Sequence, residues 1–76
     1  MPLDKDRNRT LAALRDEPRG VQSRALASAL GLSLDAIQRH LQYCADYGLA
    51  TWEKKDRAGL AVITDRGRDY LTRHGL

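Results

Sequence analysis

Cysteine is nearly absent from this 76-residue chain, which holds one, Cys44. A lone thiol excludes an internal disulfide framework and a Cys₂His₂ or Cys₄ zinc site. Phenylalanine is missing, so one Trp and three Tyr supply every phenyl or indole ring. Long apolar runs are missing as well. The longest uncharged stretches, Ala25–Leu34 and the run from Ala58 up to Asp65, fall far short of the roughly 18–20 residues that cross a bilayer. No basic start leads into an apolar segment, so neither a secretory leader nor a membrane partner is expected, and the cytoplasm is the expected location. Catalysis finds no support: there is no nucleophile–base–orienter set, no phosphate-cradling glycine loop and no carboxylate pair in a plausible cavity. The expectation is a protein that is not an enzyme and takes no cofactor.

What is present fits one small folded domain, residues 1–76. The sequence is 42% hydrophobic and 30% charged, ordinary for a globular chain. At this length folding buries only roughly 60–65% of the surface exposed by the unfolded chain, which leaves little room for a deep substrate cavity. Thirteen Lys+Arg against ten Asp+Glu give a net charge of +3, and ten of those cations are arginine. A mild positive balance permits an anionic partner without requiring one. Position therefore matters more than total.

Local signals place the elements. A first helix is expected over residues 4–16, with Asp4 as N-cap and Leu11 and Leu14 on its buried face. Pro18 and Gly20 stop it. Val21-Gln22 leaves room for one rung of strand. Ser23 is the expected N-cap of a second helix, Arg24–Leu30, closed by Gly31. Ser33 caps a third, about Leu34 to Tyr47, with Ile37, Leu41 and Cys44 along one face. After Gly48 the period changes. Leu49–Glu53 and Leu60–Ile63 read as strands joined by the charged loop from Lys54 to Gly59. Thr64 then caps a fourth helix, Asp65–Arg73, in which Tyr70 and Leu71 face inward. The fold class is mainly α with a small β-hairpin, in the order α-α-α-β-β-α.

The informative segment is Ser23–Gln42, SRALASALGLSLDAIQRHLQ. Two helices meet at a short glycine turn, Ala27 is small where they cross, and Leu26, Leu30, Leu32 and Ile37 supply the buried hinge of a helix-turn-helix. The stretches Ile37-Gln38-Arg39-His40-Leu41 and Tyr47-Gly48-Leu49-Ala50, with Ile63-Thr64-Asp65-Arg66-Gly67 after the hairpin, resemble the winged helix-turn-helix regulators. They are similar to the arsenic-type and multiple-antibiotic-type bacterial repressors. The resemblance implies a helix-turn-helix over residues 23–47, a wing over 49–63 and a closing helix over 64–74.

It also implies a transcriptional regulator bound to double-stranded DNA, with the third helix in the major groove and the wing on the backbone. The residues so assigned are Ser33, Asp35, Ala36, Gln38, Arg39 and Gln42 on the helix, with Tyr43 flanking. Arg24 joins them from the second helix, and Lys54, Lys55 and Arg57 from the wing. Gln can grip adenine at two atoms, Arg can grip guanine or phosphate, and Asp35 can accept from a cytosine amine. Trp52 is expected to pack against the helices rather than stack on bases. His40 and Cys44 are spaced i, i+4, but two ligands do not make a metal site. The arsenic-type cysteine pairs have no counterpart here, so no metal is expected.

Two-fold dimers commonly read such sites. Leu3, Tyr70, Leu71 and Leu76, on the first and last helices, are the candidate homodimer contacts. The alternative is a winged helix that binds a protein, as adaptor or inhibitor, or that serves as an accessory domain in a larger assembly. A continuous positive face through Arg24, Arg39, Lys54, Lys55 and Arg57 favours DNA. Neutralisation of those charges by Asp35, Asp46 and Asp56 favours a protein partner.

Overall fold

Asp4 opens the chain's first helix by accepting a hydrogen bond from the Arg7 amide at 2.9 Å. The computed structural model describes residues 4–53 and 59–76. Leu3 and the wing residues Lys54, Lys55, Asp56 and Arg57 lie outside the described residues. Helix α1, Lys5–Leu14, ends two residues before the expected limit of Asp16. The Arg15 and Glu17 amides turn back onto the carbonyls of Ala12 and Leu14, three residues earlier in each case. That tightening brings the chain to Pro18, whose ring disfavours helix in Glu17.

Strand β1, Val21–Gln22, leads directly into α2, Ser23–Leu30. Ser23 is not the N-cap that its residue type suggests. Gln22 holds that position, extended and without a capping side-chain bond. The cause is tertiary. Val21 pairs with Ala61 and Gln22 with Leu60, and the Ser23 amide continues the ladder by donating to the Gly59 carbonyl at 2.9 Å. Sheet pairing fixes where the helix starts, and the Ser23 hydroxyl is buried without a hydrogen-bond partner.

The turn after α2 behaves as expected. Gly31 sits at φ 67°, and the Gly31 and Leu32 amides both donate to the Ala27 carbonyl. This double closure is the glycine-dependent helix stop. Arg9 of α1 adds a brace by donating from Nη2 to the Leu30 carbonyl at 3.1 Å, which ties α1 to the end of α2. Ser33 then caps α3, Leu34–Asp46, through an Ala36 amide bond of 3.1 Å.

Strands β2, Ala50–Glu53, and β3, Leu60–Ile63, form the wing hairpin. With β1 they make an antiparallel sheet in the order β1-β3-β2. Helix α4, Asp65–Arg73, is capped by Thr64, whose hydroxyl accepts from the Gly67 amide at 3.0 Å and donates to the Gly48 carbonyl at 2.6 Å. One side chain thus joins the exit of α3 to the entrance of α4.

Leu11, Leu14, Leu26, Ile37, Leu41, Cys44, Ala61 and Leu71 form the centre of the core, with Leu30, Leu32 and Trp52 packed around it. The architecture is a winged helix-turn-helix: mainly helical, α-α-α-β-β-α in order, with β1 as a third strand. No described helix is long and apolar enough to cross a membrane.

Candidate nucleic-acid interface

Helix α3 carries most of the assigned residues, and its period separates them. Ile37, Leu41 and Cys44 are buried against the core. At 100° per residue the opposite side carries Asp35, Arg39, Gln42 and Asp46, all exposed. Gln38 and Ala36 sit on the two flanks and are half-buried. Both ends of the helix are held: the Ser33 cap anchors one end, and the Leu49 amide closes the other on the Cys44 carbonyl at 2.8 Å.

The outer face is internally paired. Arg39 Nε lies 3.6 Å from Asp35 Oδ2, an ion pair in which both side chains are more than 70% exposed. Gln42 Nε2 donates to Asp46 Oδ1 at 2.9 Å. Exposed ion pairs of this kind contribute little to stability, roughly 0–1 kcal/mol. Here the ion pair and the hydrogen bond each join an exposed side chain to an acid of the same helix. Arg24 stands exposed in the first turn of α2, on a separate element. The candidates Lys54, Lys55 and Arg57 fall outside the described residues.

Tyr43 is only half-exposed and points to the shoulder shared with α1. Its ring stacks on Tyr47 with centroids 4.5 Å apart, and the Arg7 guanidinium lies 3.9 Å above it. Arg7 is held in turn by Asp4 at 3.5 Å. Sequence reasoning missed this ladder because α1 supplies its cation and only the tertiary fold brings Arg7 over the ring. The Gln42–Asp46 contact was also missed, although its i, i+4 spacing was a legible signal.

His40 faces the start of α1. Burial lowers its pKa below 6.5; Asp4 and Asp6 oppose the shift, whereas Arg7 and Arg39 add to it. Its Nδ1 is buried without a hydrogen-bond partner. Cys44 is wholly buried, and that burial pushes its thiol up to about 11. Among the described residues no three His, Cys, Asp or Glu side chains converge on a metal site.

The expected dimer contacts need correction. Leu71 is 0% exposed and belongs to the chain's own core, so it offers no surface to a partner. Tyr70 is half-buried and donates from its hydroxyl to Asn8 Oδ1 at 2.9 Å, joining α4 to α1. Leu76 is 42% exposed, and Leu3 lies outside the described residues. Beside Tyr70 a cleft of about 320 Å³ opens between Tyr43 and Tyr47 on one side and Arg66, Arg73 and His74 on the other.

No protein-family model matches the sequence, and no curated protein matches it significantly. Solved structures do match. The chain is similar to the PcaV transcriptional regulator from Streptomyces coelicolor in complex with its natural ligand, at 25% identity and a TM-score of 0.85, over 96% of this chain and 53% of that one. It is similar to a MarR-family transcriptional regulator from Rhodococcus sp. RHA1, at 22% identity and a TM-score of 0.86, over 93% and 51% of the two chains. A third match is the transcriptional repressor CouR bound to a 23-mer DNA duplex, at 24% identity and a TM-score of 0.81, over 95% and 52%. The chain therefore spans about half the length of these structures. Its fold is the MarR-type winged helix, a fold used by DNA-binding transcriptional regulators.

Proposed function

We infer that this chain binds double-stranded DNA as a transcriptional regulator, with α3 in the major groove. The observation that carries the reading is the outer face of α3. It presents Asp35, Arg39 and Gln42 together on a helix capped at its start and buried along its back, within a fold whose relatives include a repressor on duplex DNA. Arg39 and Gln42 supply the base-reading chemistry, with Gln38, Ala36 and Ser33 beside them. Arg24 and the wing cations Lys54, Lys55 and Arg57 supply phosphate contacts, and the Tyr43 shoulder sits at the edge of the interface. The action is occupancy of an operator, not chemistry. A homodimer would bring two such helices to half-sites about one helical turn apart. Tyr70 and Leu76 then remain as its candidate contacts, and sedimentation at micromolar concentration tests it, a purely monomeric chain refuting it.

A second reading draws on the same face. Asp35 and Asp46 outnumber Arg39 there, which suits a protein partner with basic groups. Salt separates the two. A DNA binder with about 4–6 phosphate contacts loses affinity for mixed duplex with a log–log slope of about −4 to −5. Fluorescence anisotropy between 50 and 300 mM salt measures it. An absence of duplex binding at the low end overturns the DNA reading and leaves the protein-binding one.

A further inference from the structure

Two carboxylates stand on the outer face of α3, where DNA phosphates repel negative charge. Each holds a potential base reader. Asp35 takes the Nε side of Arg39, at 3.6 Å, and Asp46 takes the Nε2 of Gln42, at 2.9 Å. The pairs approach from opposite ends of the helix, so the held readers, three residues apart, are neighbours on its surface.

The chemistry of what remains is specific. With the Asp35 carboxylate on its Nε side at ion-pair distance, the guanidinium keeps its Nη edge, two parallel donors, for another partner. That edge matches the O6 and N7 acceptors of guanine. An ionised carboxylate can only accept, so Asp46 selects the nitrogen end of the Gln42 amide and fixes which side its oxygen lies on. One N–H and Oε1 remain, the donor and acceptor that adenine N7 and N6 require. The same two carboxylates disfavour phosphate, which is the sequence-independent part of DNA affinity.

We propose that Asp35 and Asp46 are positioning residues that set Arg39 and Gln42 as one reader of a guanine and a neighbouring adenine, and that they raise specificity by lowering non-specific affinity. The inference rests on the DNA reading above. It does not restate it, because ordinary phosphate binding would be improved by removing both acids.

The experiment selects duplexes from a randomised pool with the parent chain, then measures affinity for the selected duplex, for single-base variants of it and for mixed duplex. The variants are Asp35→Ala, Asp35→Glu and Asp46→Ala, with circular dichroism confirming the fold. Discrimination at the guanine should fall several-fold, up to about fivefold, in Asp35→Ala, the limit set by an exposed ion pair. Affinity for mixed duplex should hold or rise, and its salt slope should steepen by about 0.9 as Arg39 turns to a phosphate. Asp35→Glu, which keeps a carboxylate one turn before Arg39, should retain most of the discrimination. Asp46→Ala should act at the adenine alone. A parallel loss of specific and mixed-duplex affinity, an unchanged base preference, or a Glu variant as permissive as the Ala one overturns the proposal while the DNA reading stands. A parent chain that retains no duplex overturns both.

Discussion

Gly67→Ala should cost this chain stability, although the same change in an open helix would add to it. Gly67 lies in the first turn of α4, and a Cβ built there falls 2.0 Å from the Leu49 carbonyl oxygen and 2.8 Å from Ile63 Cγ1. The first neighbour is backbone and cannot rotate aside. It is also an acceptor in use, because the Thr64 amide donates to it at 3.1 Å. Room for the methyl group requires a shift of about an ångström between α4 and the start of β2. Overpacking of this kind costs about 1–3 kcal/mol. Loss of the Thr64 bond adds about 1 kcal/mol. Against this, Ala gains about 1 kcal/mol over Gly in helix propensity. The balance is a loss of about 2 kcal/mol, which for a domain of this size lowers Tm by about 8–16 °C. Thermal unfolding followed at 222 nm, with urea titration as a second measure, reads the difference. A variant as stable as the parent, or more so, would show that propensity decides and would refute the close approach as the reason for glycine.

Two further outcomes follow from buried titratable groups. His40 binds a proton less readily in the folded chain than in the unfolded one, because burial disfavours the charged ring. The His40 contribution to stability should therefore be level above about pH 6.5 and fall as pH drops through that value. Urea midpoints at pH 7.5 and 5.5 measure this, and His40→Gln should flatten the difference; an equal slope in both proteins rejects His40 as its source. Cys44, with its thiol near 11 against an ordinary 9.0, should react with a disulfide reagent at pH 8 at least about 100-fold more slowly than a free thiol. Reaction at the free-thiol rate in the absence of denaturant would contradict the burial.

The helix boundaries were legible wherever the signal was local. Asp4, Ser33 and Thr64 each accept the amide bond that their residue type promises. Gly31 and Gly48 take the positive φ that ends a helix. Ser23 failed because the signal was not local: pairing of β1 with β3 settles the start of α2 and buries a hydroxyl that looked like a cap. Gly67 was equally opaque, since its neighbour is a carbonyl nearly twenty residues earlier. The outer face of α3 was readable as a set of polar positions from period alone. Its pairing was not, because helix spacing says which side chains can meet and not which ends of them do.

Charge shows the same division. Ten arginines in a chain of net +3 suggest a surface ready for anions. The structure holds at least five of them on the chain's own groups. Arg7 lies on Asp4 and the Tyr43 ring, Arg9 on Asp6 and the Leu30 carbonyl, and Arg15 on the Leu76 carbonyl; Arg39 and Arg73 pair with Asp35 and Asp69. Of these, Arg9 and Arg15 join distant parts of the fold, so their cations serve architecture. Of the five, only Arg39 stands on the outer face of α3, and it is paired as well. The other five arginines are Arg19, Arg24, Arg57, Arg66 and Arg68; of these, Arg24 and Arg57, with Lys54 and Lys55, are the phosphate contacts of the proposed function. The pairing of Arg39 with Asp35 and of Gln42 with Asp46 takes both side chains from general phosphate binding and puts the burden of recognition on how they are aimed.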